Sequence, residues 1–315
     1  MEVVDWVRYW FMFPVSIMVA TTAMLSGIGG AALFIPIFLI IFPLLGPEYP
    51  LGVFAATVGA KGTVVAIAVA LLTETFGFSS GFVGYYRKRL IDFRSAVPFL
   101  AISVPVAIAG ALIVFWAGES LNEDYIKGGY GVIMLIIAVV LLRHVGQVDI
   151  AAGAPASNGS SAGAGDARHM RTITARDGKV YTYKIPRQGR GIFATAVGGL
   201  LTGMVGVGMG EVVVPQLVKK NRVPVAVAAA TSVLIVIVTV AAASFTLIYQ
   251  LIQAGGLAAV PWHLVCYTIP AVVIGGQIGP RLQGTVPQRT MERAIGALFA
   301  MIGIAMVWIF VRTLV

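Results

Sequence analysis

At 315 residues, 58% hydrophobic and only 11% charged, the chain is far from a soluble domain, in which about 25% of residues are charged. Apolar runs of roughly 20 residues recur along its length, which indicates an all-α polytopic membrane protein; the strands of a membrane β-barrel would alternate, and these runs do not. The net charge of +9 resides mostly in basic residues flanking hydrophobic segments, a pattern that membrane topology explains better than nucleic-acid binding.

Segment 1 is predicted from about Phe11 to Phe42, interrupted by Gly27–Gly30 and by Pro36. Glu2 and Asp5 precede Arg8, so it lacks the basic start of a signal peptide and reads as mature structure. Segment 2 begins after Pro50, with a bend expected at Gly77, and ends at Arg87-Lys88-Arg89. Segments 3 and 4 cover about Ser95–Trp116 and Tyr125–Leu142. An Ala/Gly/Ser-rich linker over Val145–Gly165 follows, and then alternating residues around Asp177-Gly178 that predict a β-hairpin. Segments 5 to 8 are expected at about Gly191–Val218, Pro224–Ile252, Pro261–Arg281 and Thr290–Val311.

The second half repeats the first. Gly27, Gly29 and Pro36 align with Gly206, Gly208 and Pro215; Pro50 and Thr57 align with Pro224 and Thr231. The expected organisation is therefore a membrane repeat over 1–142, a linker with its hairpin over 143–190, and a second membrane repeat over 191–315. Basic residues place the loop after segment 2 and the central loop on the cytoplasmic side. Lys219-Lys220-Asn221-Arg222 joins them only if segment 5 dips in and returns at its glycines. That arrangement is an inverted repeat of four segments per half, the first of each broken or re-entrant. The alternative is eight ordinary crossings with a same-way-up duplication.

Broken helices repeated in two halves point to a transporter site at mid-membrane depth. The candidate substrate-binding glycines are Gly27, Gly29 and Gly30 with Gly206, Gly208 and Gly210. Helix breaks at Pro36 and Pro215 would leave bare N–H groups and positive dipole ends facing an anion; otherwise the glycines only let helices pack closely. Lys61, inside segment 2, is either the counter-charge for an anion or the partner of Glu74 or Glu211. Glu74 and Glu211 are the candidates for coupling a proton or cation. Thr57, Ser79, Ser80, Thr231, Ser232 and Gln277 either donate to substrate oxygens or satisfy neighbouring backbone.

One cysteine, Cys266, excludes a disulfide framework, and His144, His169 and His263 have no metal-ligand spacing, so no cofactor or metal is expected. No ATP-binding loop and no nucleophile–base constellation is present, so no enzyme is expected.

The paired Gly-rich segments ending in proline, the Ala-Ala-Thr that follows each, Tyr85–Arg94 and Gly275–Leu282 together resemble the TauE/SafE sulfite/organosulfonate exporter family over about 15–142 and 191–312. The resemblance implies a secondary carrier in a prokaryotic cytoplasmic (inner) membrane, exporting a small sulfur-containing anion such as sulfite, thiosulfate or an organosulfonate by alternating access. An anion channel with the same elements, or a carrier of another small organic anion, is the alternative. The long central loop, Glu211 and Lys61 depart from the family pattern.

Overall fold

Backbone in a lipid environment must satisfy its own polar groups, and these apolar runs do so as helices. The computed structural model describes residues 9–26, 29–42, 62–120, 123–144, 170–176, 178–184, 191–220, 223–282 and 288–314. In chain order the helices are α1 (Met12–Ser26), α2 (Ala31–Pro36), α3 (Gly62–Arg87), α4 (Phe93–Ser120), α5 (Glu123–His144), α6 (Ile192–Val205), α7 (Met209–Pro215), α8 (Val225–Gly255), α9 (Trp262–Leu282) and α10 (Gln288–Leu314). Among the described residues six of these, α3–α5 and α8–α10, are long and apolar enough to cross a membrane. The 15 residues of α1 and 14 of α6 reach only about 22 Å, against about 30 Å of hydrocarbon.

Each short helix is followed by glycines before the next helix begins. Gly29 and Gly30 lie between α1 and α2, while Gly206, Val207 and Gly208 separate α6 from α7. Gly206 closes α6 in the left-handed region (φ 72°, ψ 16°), where a side chain would meet the backbone.

The prolines behave differently from expectation. Neither Pro36 nor Pro215 ends its helix; a π turn runs on from each, over Ile37–Ile41 and Gln216–Lys220. A proline inside a helix removes one N–H and leaves the carbonyl four residues back without its donor. For Pro36 that carbonyl belongs to Ala32, and the Tyr130 hydroxyl of α5 donates to it at 3.3 Å. One wider turn and one borrowed hydroxyl absorb the fault, so the break lies upstream at the glycines.

α3 runs unbroken through Gly77. The apolar windows of α3 and α8 are 89% and 61% buried, whereas those of α4, α5 and α10 are 33%, 33% and 28% buried, so α3 and α8 form the centre. Pairing around them is reciprocal. α1 packs on α9 and α6 on α4; α3 packs on α9 and α8 on α4; α2 lies against α3 and α7 against α8; α5 pairs with α10. Small residues allow the close approach: a Cβ on Gly275 would lie 2.6 Å from the Ile17 carbonyl oxygen, and one on Gly110 2.6 Å from that of Leu200. Hydroxyl pairs stitch the inner helices, Thr73 to Thr268 at 3.0 Å and Ser103 to Thr239 at 2.7 Å.

The hairpin forms where alternation placed it. β1 (Met170–Thr174) and β2 (Val180–Lys184) are antiparallel, with Thr174 opposite Val180. Asp177 and the stretch 145–165 lie outside the described residues. A lone hairpin is marginal, and this one is held by Asp92, the buried N-cap of α4. Asp92 accepts from the Ser95 backbone at 3.1 Å and the Ser95 hydroxyl at 2.5 Å, which satisfies an otherwise orphaned donor of the first turn. The same carboxylate takes the Tyr183 hydroxyl at 2.5 Å and pairs with Arg171 at 2.9 Å, while its own N–H donates to Thr231 Oγ1. Burial, and then the adjacent carboxylate, push the Tyr183 hydroxyl far above its ordinary value of 10.0, so it remains a donor.

Tyr183→Phe deletes one hydrogen bond to a charged acceptor and is expected to weaken docking by about 1.5–3 kcal/mol. The check is hydrogen exchange across β1 and β2, which should accelerate while the helices stay protected; unaltered strand protection would show that the Tyr183–Asp92 bond does not hold the hairpin. Because the folded-state value is raised, wild-type docking should be complete below pH about 10 and decline as the pH rises above it.

Candidate functional site

A carboxylate in the middle of a membrane helix costs roughly 2.5–3.5 kcal/mol even on lenient insertion scales, so it requires partners. Glu74 lies mid-way along α3 and is 2% exposed. Its Oε1 accepts the Gly30 N–H at 2.9 Å and its Oε2 the Ala31 N–H at 3.2 Å. These are donors at the start of α2, which no earlier helical turn can satisfy, and the peptide dipoles there favour negative charge. The bare donors expected from the glycine motif are thus occupied, in this conformation, by a carboxylate of the protein.

The second break closes differently. Thr202, on the last turn of α6, donates to the Gly198 carbonyl at 2.8 Å and accepts the Met209 N–H at 3.0 Å, capping α7 across the gap. Gly208, at φ 129°, fits against Gly198, where a Cβ would stand 3.0 Å from the carbonyl oxygen. Gly210 is buried in the first turn of α7.

The two interruptions meet. A Cβ on Gly29 would overlap the Gly206 carbonyl oxygen and stand 3.0 Å from Glu74 Oε1, and a Cβ on Gly206 would overlap Ala31. Glycines separated by most of the chain therefore touch backbone to backbone beside the buried carboxylate. Next to Glu74 is a cavity of about 10 Å³ bounded by Met24, Gly30, Phe34, Phe78 and Val272, room for about one water. The site is shut in this conformation.

Other expected residues lie elsewhere. Ser79 donates to the Thr75 carbonyl at 2.6 Å in its own helix, and Ser232 to that of Ala229 at 2.8 Å. Ser80 reaches the Val273 carbonyl on α9 at 2.7 Å, and Gln277 returns to the Ser80 carbonyl and hydroxyl at 2.5 and 2.9 Å. Thr231 holds the Asp92 N–H. These five fasten helices and turns and make no hydrogen bond with Glu74 among those described. Gly27, Thr57 and Lys61 lie outside the described residues, as does the side chain of Glu211, whose backbone is part of α7.

The sequence reading passed over Thr202 and used Asp92 only as part of a repeated stretch, without its capping role. Thr202 sits four residues before Gly206, where a hydroxyl can cap across a glycine gap, and Asp92 precedes Ser95 at N-cap spacing. Each pattern is short enough to pass for ordinary helix sequence.

A family model described as "Sulfite exporter TauE/SafE" matches residues 12–306. Among curated proteins the chain is similar to the "Probable membrane transporter protein YunE" of Bacillus subtilis (strain 168), 24% identical over 244 residues, or 78% of this chain and 81% of that relative. No solved structure matches it. With its family match running through the helices that build the closed site, the chain belongs to the TauE/SafE sulfite exporter family, whose members are membrane transporters and not enzymes.

Proposed function

We propose that the protein is a secondary transporter that exports a small sulfur-containing anion, such as sulfite, thiosulfate or an organosulfonate, by alternating access around the paired helix breaks. The observation that carries this reading is the Glu74 carboxylate seated on the Gly30 and Ala31 N–H groups, against the Gly29–Gly206 contact. A carboxylate and an S–O⁻ group ask for the same chemistry: short hydrogen bonds from backbone donors at a positive dipole end. The protein's own anion holds the place until the site opens. Protonation of Glu74 would weaken its hold on both donors and let a substrate oxyanion take them, coupling anion movement to a proton. Glu211 is the corresponding coupling candidate on α7, and Lys61 the candidate counter-charge.

The reciprocal packing of α1 on α9 and α6 on α4 supports two related membrane repeats, over 1–142 and 191–315; the shortness of α1 and α6 favours the inverted arrangement, and the basic residues of the central loop favour a prokaryotic inner membrane with 143–190 cytoplasmic. Alternating access is then a movement of the α1, α3, α9 group against the α4, α6, α8 group, each drawn from both repeats, about the glycine contact.

The test is counterflow in proteoliposomes with radiolabelled sulfite, thiosulfate and sulfoacetate, with sulfate as comparison. Saturable uptake accelerated by unlabelled anion on the far side is expected for at least one sulfur oxyanion, and Lys61→Ala should weaken its binding. Flux that rises linearly with concentration and ignores trans substrate would identify a pore instead.

A further inference from the structure

About 20 Å along α3 from Glu74, past the end of that helix at Arg87, the chain turns into α4 and builds a second, separate feature. A pocket of about 540 Å³ is lined by Tyr86, Arg87, Arg89, Ile91, Phe93 and Arg176. That size accommodates a small organic ligand. Three arginines line it from three parts of the chain: the end of α3, the turn after it, and the tip of the hairpin. Among the described residues none of the three has a carboxylate partner.

The backbone is arranged to bring them there. Arg89 adopts φ 55°, the left-handed conformation that non-glycine residues seldom take and that recurs at functional sites. The Arg176 N–H donates to the Lys88 carbonyl at 3.1 Å, pinning the hairpin tip against the turn. The apolar side of the pocket comes from Tyr86 and Phe93, 58% and 48% exposed, whose rings meet edge-on at 6.4 Å. They sit where α3 and α4 leave the apolar layer. Exposed aromatics at that level belong among lipid headgroups, and guanidinium forks match phosphate oxygens.

We propose that this pocket binds the phosphate of an anionic phospholipid headgroup, which bridges the α3–α4 turn to the hairpin. Arginines supply the forked donors, and the exposed rings accommodate the glycerol and first acyl carbons. A phosphate drawn from solution offers the same oxygens but none of the apolar portion that Tyr86 and Phe93 face.

The full-length protein is tested in nanodiscs by native mass spectrometry and thermal unfolding, with phosphatidylglycerol titrated into phosphatidylcholine. Wild type should retain phosphatidylglycerol selectively and unfold at higher temperature as its fraction rises. Arg89→Asn with Arg176→Gln should bind it about thirtyfold more weakly, from the value of each basic residue near an anionic surface; asparagine tolerates the left-handed turn and keeps the backbone. Arg87→Gln alone, on a helix whose backbone does not depend on that side chain, should give a smaller loss in the same direction. Equal retention of both lipids by wild type, or unchanged selectivity in both variants, would overturn the proposal. So would inorganic phosphate or glycerol phosphate, added without anionic lipid, producing the same arginine-dependent stabilisation, which would assign the pocket to a soluble anion.

Discussion

Glu74→Ala is expected to abolish transport and to destabilise the fold by about 2–6 kcal/mol, since two buried N–H donors each lose their acceptor at about 1–3 kcal/mol apiece. The donors belong to Gly30 and Ala31, and water entering the space left by the side chain offers them only a neutral acceptor in place of a charged one. Glu74→Gln is the sharper experiment. The amide keeps one oxygen for one donor but turns its NH₂ toward the other, so the fold should lose only about 1–3 kcal/mol. Functionally the amide mimics the protonated acid. If release of the carboxylate couples a proton to the anion, wild-type exchange should slow as pH is raised, because the ionised group then keeps the donors. The Gln variant should still exchange substrate across the membrane with a flat pH profile, and should fail to accumulate it against a gradient. The readouts are counterflow at several pH values and gradient-driven flux in the same proteoliposomes. Wild-type pH dependence in Glu74→Gln would remove Glu74 from coupling and leave it as a cap on α2.

The contrast between what the sequence conveyed and what it concealed follows from range. Apolar segments, glycine interruptions and the Asp-Gly hairpin are local patterns, and lipid leaves the backbone few alternatives to helix, so the described helices fall close to the predicted segments. The internal echo of Gly27–Pro36 in Gly206–Pro215 also pointed to two interruptions worth comparing. Partners were hidden because they are set by packing. Glu74 meets Gly30 across 44 positions and Asp92 meets Tyr183 across 91, and no periodicity encodes either contact. The serines and Gln277 were legible only as polar groups in apolar helices. Whether such a hydroxyl faces a ligand or a carbonyl depends on the neighbouring helix, and in this conformation Ser80 donates to the Val273 carbonyl of α9. Pro36 misled for a similar reason: its rule concerns one lost hydrogen bond, and a tyrosine from another helix met that loss.

Gly206→Ala is expected to cost about 2–5 kcal/mol and to leave little transport activity, because two penalties coincide. Its φ of 72° and ψ of 16° lie in the left-handed region, about 1–2 kcal/mol unfavourable for an L-residue. A Cβ there would also overlap the Ala31 side chain and approach Leu71 Cδ2 at 3.3 Å, and over-packing of this kind typically costs about 1–3 kcal/mol. Asparagine separates the two terms. It is the residue after glycine that best tolerates left-handed backbone, yet its side chain is larger than a methyl. If strain dominates, Gly206→Asn should unfold later than Gly206→Ala; if the contact between the two breaks dominates, it should unfold earlier. The second order is expected, since Ala31 and Leu71 are fully buried and cannot withdraw. Gly129→Ala is the control: no atom lies within 4 Å of its Cβ position, and within helix α5 the change should be neutral or stabilising by up to about 1 kcal/mol. Thermal unfolding of the four proteins in one detergent decides the matter. An asparagine variant at least as stable as the alanine one would mean that the two helix breaks do not press on each other, and with that contact would go the hinge about which the two mixed helix groups are proposed to move.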